Sequence, residues 1–183
     1  MTALISLYAG VAARLERADW LIPTLARFLF AAVLMVYFLN SGMTKLGDGI
    51  SGIWTPSVGA YAQIFPRVLE AVGYDTDALS LFHKFVVISG TWAEFLLPAM
   101  IVLGFLTRLA ALGMIGFVAV QSLTDIYGHG AADAVGAWFD RFPDAIIADQ
   151  RMLWVFLLLV LVVKGAGPLS FDRAFKPAER QET

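Results

Sequence analysis

The chain contains no cysteine. That excludes disulfides, thiolate metal sites, iron–sulfur clusters and thiol redox chemistry by this polypeptide itself. With no Cys-x-x-Cys-His run it cannot attach haem covalently, so no covalently bound cofactor is expected. Charge is also scarce. Asp, Glu, Lys and Arg make up 15% of the 183 residues, against about 25% in an ordinary soluble domain. The formal net charge is -2, and the basic stripe that displaces counterions from nucleic acid is missing, so no nucleic-acid partner is expected. Histidine is limited to His83 and His129, which do not define a metal or haem site. The first basic residue is Arg14, so the start lacks the positive segment of a cleavable secretory signal, and the first span is expected to serve as an uncleaved signal-anchor.

What is abundant is apolar surface. Hydrophobic residues make up 59% of the chain, and a chain this short cannot enclose enough volume to hide them from water. Lipid must cover much of it. The expected fold is all-α: a polytopic membrane protein forming one domain over 1–183, a four-helix antiparallel bundle. A span needs about 20 apolar residues to cross roughly 30 Å of hydrocarbon. By that measure the spans run over about 21–44, 85–107, 109–125 and 149–166. Residues 2–18 carry Leu4, Leu7, Tyr8, Val11 and Leu15 at helical spacing and read as a short interfacial helix. In 46–83, Tyr61, Ile64, Phe65, Val68, Leu69 and Val72 predict a helix folded back over the bundle. Only Thr107-Arg108 separates the second and third spans, which predicts a tight hairpin. A second loop covers 126–148. Ala110, Gly113, Gly116 and Ala119 form a small-residue track expected to pack against a neighbouring helix.

Basic residues at the span ends orient the chain. Arg14, Arg17, Arg27, Arg108, Lys164, Arg173, Lys176 and Arg180 share one side, and Lys45, Lys84, Arg141 and Arg151 the other. Both termini are therefore expected in the cytoplasm, with the two long loops outside.

Glu94 is the most informative residue. A carboxylate mid-span costs about 2.5–3.5 kcal/mol on insertion scales, so it must face the bundle interior, with a partner or protonated. Pro98, four residues on, has no N–H and leaves the Glu94 carbonyl without its helical partner. Antiparallel geometry brings Asn40, Ser41 and Lys45, Gln121 and Asp125, His129, and Asp149 and Gln150 towards the same end. These groups predict a cavity that binds a polar head, with apolar walls for a tail and Glu94 as candidate proton relay. The same residues also fit a purely structural role, in which Glu94 locks two helices through an ion pair with Lys45, the nearer candidate, or Arg27. The five tryptophans fit interfacial anchoring and core packing and define no quinone clamp.

Three segments carry a family resemblance: Arg27 with the apolar run to Ser41-Gly42-Met43-Thr44-Lys45-Leu46, Glu94 to Gly104 and on through Thr107-Arg108, and Gly165-Ala166-Gly167-Pro168-Leu169-Ser170-Phe171-Asp172. In these the chain resembles the DoxX family of bacterial membrane proteins. The resemblance implies a four-helix bundle in the bacterial cytoplasmic (inner) membrane and a link to redox work, with Arg27, Lys45, Glu94, Arg108, Ser170 and Asp172 as the motif positions. It points to a membrane subunit of a quinone-linked oxidoreductase system concerned with sulfur compounds or oxidative stress, with quinone as non-covalent cofactor and either a partner oxidoreductase subunit or a non-covalent donor as the source of electrons. A covalent sulfur-carrying mechanism does not fit a chain without cysteine. Two alternatives stay open. One is a non-catalytic partner that recruits or stabilises another enzyme. The other is a small-molecule carrier or channel, which would need the chain to form a homo-oligomer. Physically, Gly165 and Gly167 permit backbone conformations closed to other residues, and Ser170 or Asp172 is expected to cap a short C-terminal helix containing Phe171, Arg173 and Phe175.

Overall fold

The computed structural model describes residues 2–175; Lys176 and Arg180, counted above with the positive side, lie outside them. Every regular element among the described residues is helical. Helix α1 covers Thr2–Glu16. Four helices are long and apolar enough to cross a membrane: α2 (Leu21–Met43), α5 (Leu81–Leu103), α6 (Thr107–Gly128) and α7 (Ile146–Lys164). Between α2 and α5 lie α3 (Val58–Ile64) and α4 (Pro66–Ala71). A last turn of helix, α8, covers Phe171–Ala174.

The spans pack around Phe30, Leu34 and Phe38 of α2, Ile101 of α5, Met114 and Val118 of α6, and Leu158 and Leu161 of α7, all buried. Phe38 sits edge-on to both Phe117 and Trp154. The opposite faces stay bare: Phe28, Phe85 and Phe156 are 65%, 69% and 68% exposed. Water would not tolerate so many exposed large apolar side chains on so small a bundle, whereas hydrocarbon is their natural solvent. In lipid the helices cohere by close packing and polar contacts rather than by apolar burial.

The hairpin between the second and third spans sits three residues earlier than hydropathy suggested. Helix α5 ends at Leu103, and Gly104, with φ +70°, reverses the chain. Leu106 also takes a positive φ, +45°, before α6 starts at Thr107. Hydropathy cannot register this boundary because Phe105 and Leu106 are as apolar as the spans; the glycine and the N-terminal cap described below set it. The helix expected over 61–72 is two helices. Pro66 has no N–H to continue α3, so it opens α4 instead, with Phe65 non-helical between them (φ -129°, ψ 58°). Both helices do fold back over the bundle: Ala60, Tyr61, Leu69 and Leu79 bury against Val87 of α5.

Three spans carry π-helical turns: Phe30–Met35 within α2, Thr124–Gly128 ending α6, and Ile146–Gln150 opening α7, the last kinked at the non-helical Ile147 and Ala148. A π-turn inserts a residue and rotates the face that follows. After the one in α2, Tyr37, Ser41 and Lys45 fall in line at intervals of four and face the same space.

Candidate functional site

The bundle has two polar ends, built differently. At the first, Lys45 and Glu94 form a buried ion pair between α2 and α5. The Lys45 ammonium donates to both carboxylate oxygens at 2.9 Å. It also donates to the Ser41 hydroxyl at 2.8 Å, and that hydroxyl donates to Glu94 Oε1 at 2.8 Å. Lys45 and Glu94 are only 5% and 3% exposed. Gly42 makes this reach short enough: a Cβ there would lie 2.7 Å from the Phe95 ring, so the absence of a side chain lets α2 approach α5. Such a pair repays its desolvation only with good geometry and further hydrogen bonds. Here all three ammonium donors are used.

Beside the pair lies a cavity of about 510 Å³, within the range of small-molecule sites. Its polar lining includes Tyr37, Ser41, Lys45, Glu94, Gln121 and Asp125, with Gln63 and His129. The Gln121 amide nitrogen donates to the Tyr37 hydroxyl at 2.8 Å, while Gln121 Oε1 is buried without a partner among the described residues. His129 Nε2 is 2.9 Å from the Gln63 carbonyl, tying the end of α6 to α3. Asp125 is held by Arg151 of α7 at 2.5 Å, and Arg151 also donates to the Ser122 hydroxyl at 3.0 Å. Both carboxylates on the cavity are therefore paired with a cation, Glu94 with Lys45 in the lining and Asp125 with Arg151 behind it.

Of the residues expected to converge, Lys45, Glu94, Gln121, Asp125 and His129 line the cavity. Asn40 and Asp149 do not. Asn40 sits one position before Ser41, hence about 100° round the helix, and is exposed. Asp149 accepts from the Ala145 N–H at 3.0 Å and presses on Gly136, so it organises the second loop. Arg151, read from the sequence only as a topology charge, is 5% exposed and holds Asp125. Gly113 and Gly116 were expected to pack. Gly113 touches Leu97, but both line the cavity, and nothing lies within 4 Å of a Cβ placed on Gly116. Ala110 is buried in the core, whereas Ala119 is exposed. His83 stays away, bonded to Ser80 at 2.8 Å and edge-on to Phe65.

On the other side of the α5 stripe Phe85, Ser89, Ala93 and Leu97, which lines both spaces, lies a shallow apolar groove of about 760 Å³. Trp54 and Trp92 flank the groove, their rings 5.1 Å apart. The Trp92 indole nitrogen is buried without a partner among the described residues.

The second polar end is a knot. At the end of α5 the Arg27 guanidinium donates to the Ile101 carbonyl at 3.0 Å, which also accepts from the Gly104 N–H at 3.1 Å, and to the Val102 carbonyl. It also donates to the carbonyls of Ala166 (3.0 Å) and Leu169 (2.5 Å). Arg27 is thus no partner for Glu94. Ser170 caps α8, accepting from the Arg173 N–H. Asp172 caps a different helix, 65 residues away in sequence: its carboxylate accepts from the N–H groups of Leu106 (2.7 Å) and Thr107 (2.9 Å) at the start of α6. Burial pushes the Asp172 carboxyl up, but hydrogen bonds from Thr107 and Leu106 and the charge of Arg27 outweigh it, and the group lies below its ordinary range. Gly104 admits this packing, because a Cβ there would lie 2.5 Å from Ser170 Cβ and 3.0 Å from Arg27 Cζ. Arg108 lies beside Gly165. Four of the six motif positions, Arg27, Arg108, Ser170 and Asp172, thus gather at this end.

Among the described residues no group of three His, Asp or Glu side chains is placed to hold a metal ion. A family model described as DoxX matches residues 22–124, more than half of the chain, including Arg27, Lys45, Glu94 and Arg108. No curated protein and no solved structure matches it.

Proposed function

The chain belongs to the DoxX family, and from that premise we propose that it is the membrane subunit of a quinone-linked oxidoreductase, with the quinone head group in the Glu94 cavity and its tail in the Trp54–Trp92 groove. The observation that carries the reading is that the two spaces adjoin along one stripe of α5. A polar chamber whose carboxylates are both ion-paired lies beside an apolar groove, which suits a neutral, hydrogen-bonding head on a long hydrocarbon tail.

The residues fit such a group in its hydroxylic form. The Lys45 donors are consumed inside the protein, so what the pair offers a ligand is carboxylate lone pairs. Gln121 adds a second acceptor, its buried oxygen. If the Tyr37 hydroxyl donates to the amide instead, the amide turns and presents N–H, which matches a carbonyl. Gln121 can therefore serve both the reduced and the oxidised head. Bound here, the quinone supplies reversible two-electron, two-proton chemistry. Glu94 is placed to hold a proton on Oε1 or Oε2, with Lys45 and Ser41 stabilising the carboxylate when that proton leaves. With no cysteine in this chain, electrons come from a partner or a non-covalent donor.

We place the chain in the bacterial cytoplasmic membrane with both termini inside, because the sequence puts Arg14, Arg17, Arg27, Arg108, Lys164, Arg173, Lys176 and Arg180 on one side of the spans against Lys45, Arg67, Lys84, Arg141 and Arg151 on the other. The native absence of cysteine makes this simple to test. Single cysteines at Ala12 and Ala134 should differ in intact cells: only the second should react with a membrane-impermeant maleimide.

The functional test is quinone-dependent turnover in membranes. Glu94→Gln and Gln121→Leu are expected to lower it while the protein still extracts as a folded species in mild detergent. Undiminished turnover in both variants would remove the role assigned to this cavity.

A further inference from the structure

We propose that the Arg27 end carries a second binding site, for a phosphate group, in the cavity where the starts of α2 and α6 meet the end of α7. This cavity is about 620 Å³ and lies at the opposite end of the bundle from Glu94. Its charged lining is Arg108, Lys164 and Arg173 with Asp19 and Asp172. Both carboxylates are already engaged. Asp19 pairs with Lys164 at 3.0 Å, and Asp172 caps α6 through the N–H groups of Leu106 and Thr107. Arg108 and Arg173 are exposed, and their side chains have no ion pair or hydrogen bond among the described residues. Two guanidinium groups on one cavity, neither ion-paired among the described residues, with three cations to two carboxylates in the lining, are a receptor for a tetrahedral dianion or a phosphodiester, which the planar N–H fork of arginine binds in bidentate fashion.

The surroundings suit a phosphate that arrives on a lipid. The cavity sits where three span ends meet one face of the membrane, the depth at which phospholipid head groups lie. Trp20 lines it, and indoles concentrate at that depth. Leu106 and Leu109 line it too and are 48% and 64% exposed, which offers acyl chains a path away from the head group. Basic pockets between span ends are recognised sites for anionic head groups. Gly165, at φ +80°, completes the wall beside the Arg108 guanidinium, in a backbone conformation that residues with a side chain rarely adopt.

The test uses the full chain purified in a non-ionic detergent, with thermal unfolding followed during titration. The titrants are short-chain phosphatidylglycerol, short-chain phosphatidylcholine, and inorganic phosphate. Saturable stabilisation by phosphatidylglycerol but not phosphatidylcholine is expected, with Arg108→Gln weakening it roughly tenfold, the equivalent of one charge-assisted hydrogen bond. Arg108→Lys should recover part of that loss. Stabilisation by phosphatidylglycerol alone assigns the site to a lipid head group, whereas equal stabilisation by inorganic phosphate assigns it to a soluble phosphate. Arg173→Gln is the second variant, on an exposed side chain that folding does not need. If phosphatidylglycerol and phosphatidylcholine act alike, or if both arginine variants bind phosphatidylglycerol as the wild type does, the site does not exist. None of these readouts involves quinone.

Discussion

Replacing Lys45 by Met removes the ammonium from a buried carboxylate while keeping most of the side-chain volume. Glu94 then loses two charge-assisted hydrogen bonds of 2.9 Å and retains only the Ser41 hydroxyl at 2.8 Å. Hydrogen bonds to charged groups contribute about 1.5–3 kcal/mol each, so the loss is about 3–6 kcal/mol. Breaking a buried pair by removing one partner costs about 3–5 kcal/mol by a separate route, and the two figures agree. Glu94→Leu alone leaves the ammonium buried and should cost a similar amount. Removing both is different, because no uncompensated charge remains. Lys45→Met with Glu94→Leu should lie within about 1–2 kcal/mol of the wild type, or above it. The assay is thermal or denaturant unfolding in one mild detergent for all four proteins, treated as a double-mutant cycle. Strictly additive losses would refute the reasoning, since they would mean that each residue contributes without the other.

At the opposite end, Arg27→Lys cannot reproduce four bonds to the carbonyls of Ile101, Val102, Ala166 and Leu169. An ammonium has three donors for these four carbonyls, so loss of at least one bond should destabilise the bundle by about 1.5 kcal/mol or more, read as a lower unfolding temperature; an unchanged one would remove Arg27 from the knot. Gly104→Ala places a Cβ 2.5 Å from Ser170 Cβ at a φ of +70° and should cost well over about 1 kcal/mol. Combining it with Ser170→Gly should recover part of the loss by relieving the clash. The folded-state carboxyl of Asp172 lies below its ordinary range, so its contribution is complete above the unfolded value of about 3.9. That contribution is lost as pH falls through the lower folded value. Asp172→Asn should therefore be less stable than the wild type at neutral pH and converge on it below about pH 4; parallel pH profiles would contradict the capping role.

The four spans could be read from hydropathy because a long apolar run in so small a chain has few other solutions. Their boundaries were less accessible. The α5–α6 turn depends on Gly104 and on a carboxylate 65 residues downstream, and no local pattern marks such a cap. The Lys45–Glu94 pairing followed from depth, since an acid mid-span needs a partner at its own level. The neighbouring pair did not. Arg151 opens a span and reads as a boundary charge, and only the packing of α7 on α6 buries it against Asp125. Asn40 failed to join the cavity for a rotational reason: depth was right, but the helix face was not, and the π-helical turn upstream at Phe30–Met35 changes that face without any sequence signal. Gly116 was taken for a packing residue because small residues mark helix contacts in lipid, whereas here the missing side chain is part of the cavity.

The most direct test of the cavity's assignment is photolabelling. An azido-quinone is bound to the full chain in native membranes, illuminated, and its attachment sites mapped by peptide mass spectrometry. The account predicts labels on the stretches 85–97 and 113–125, competed away by unmodified quinone and reduced by Gln121→Leu. Labels spread over the lipid-facing surfaces of all four spans, or insensitive to competition, would contradict it.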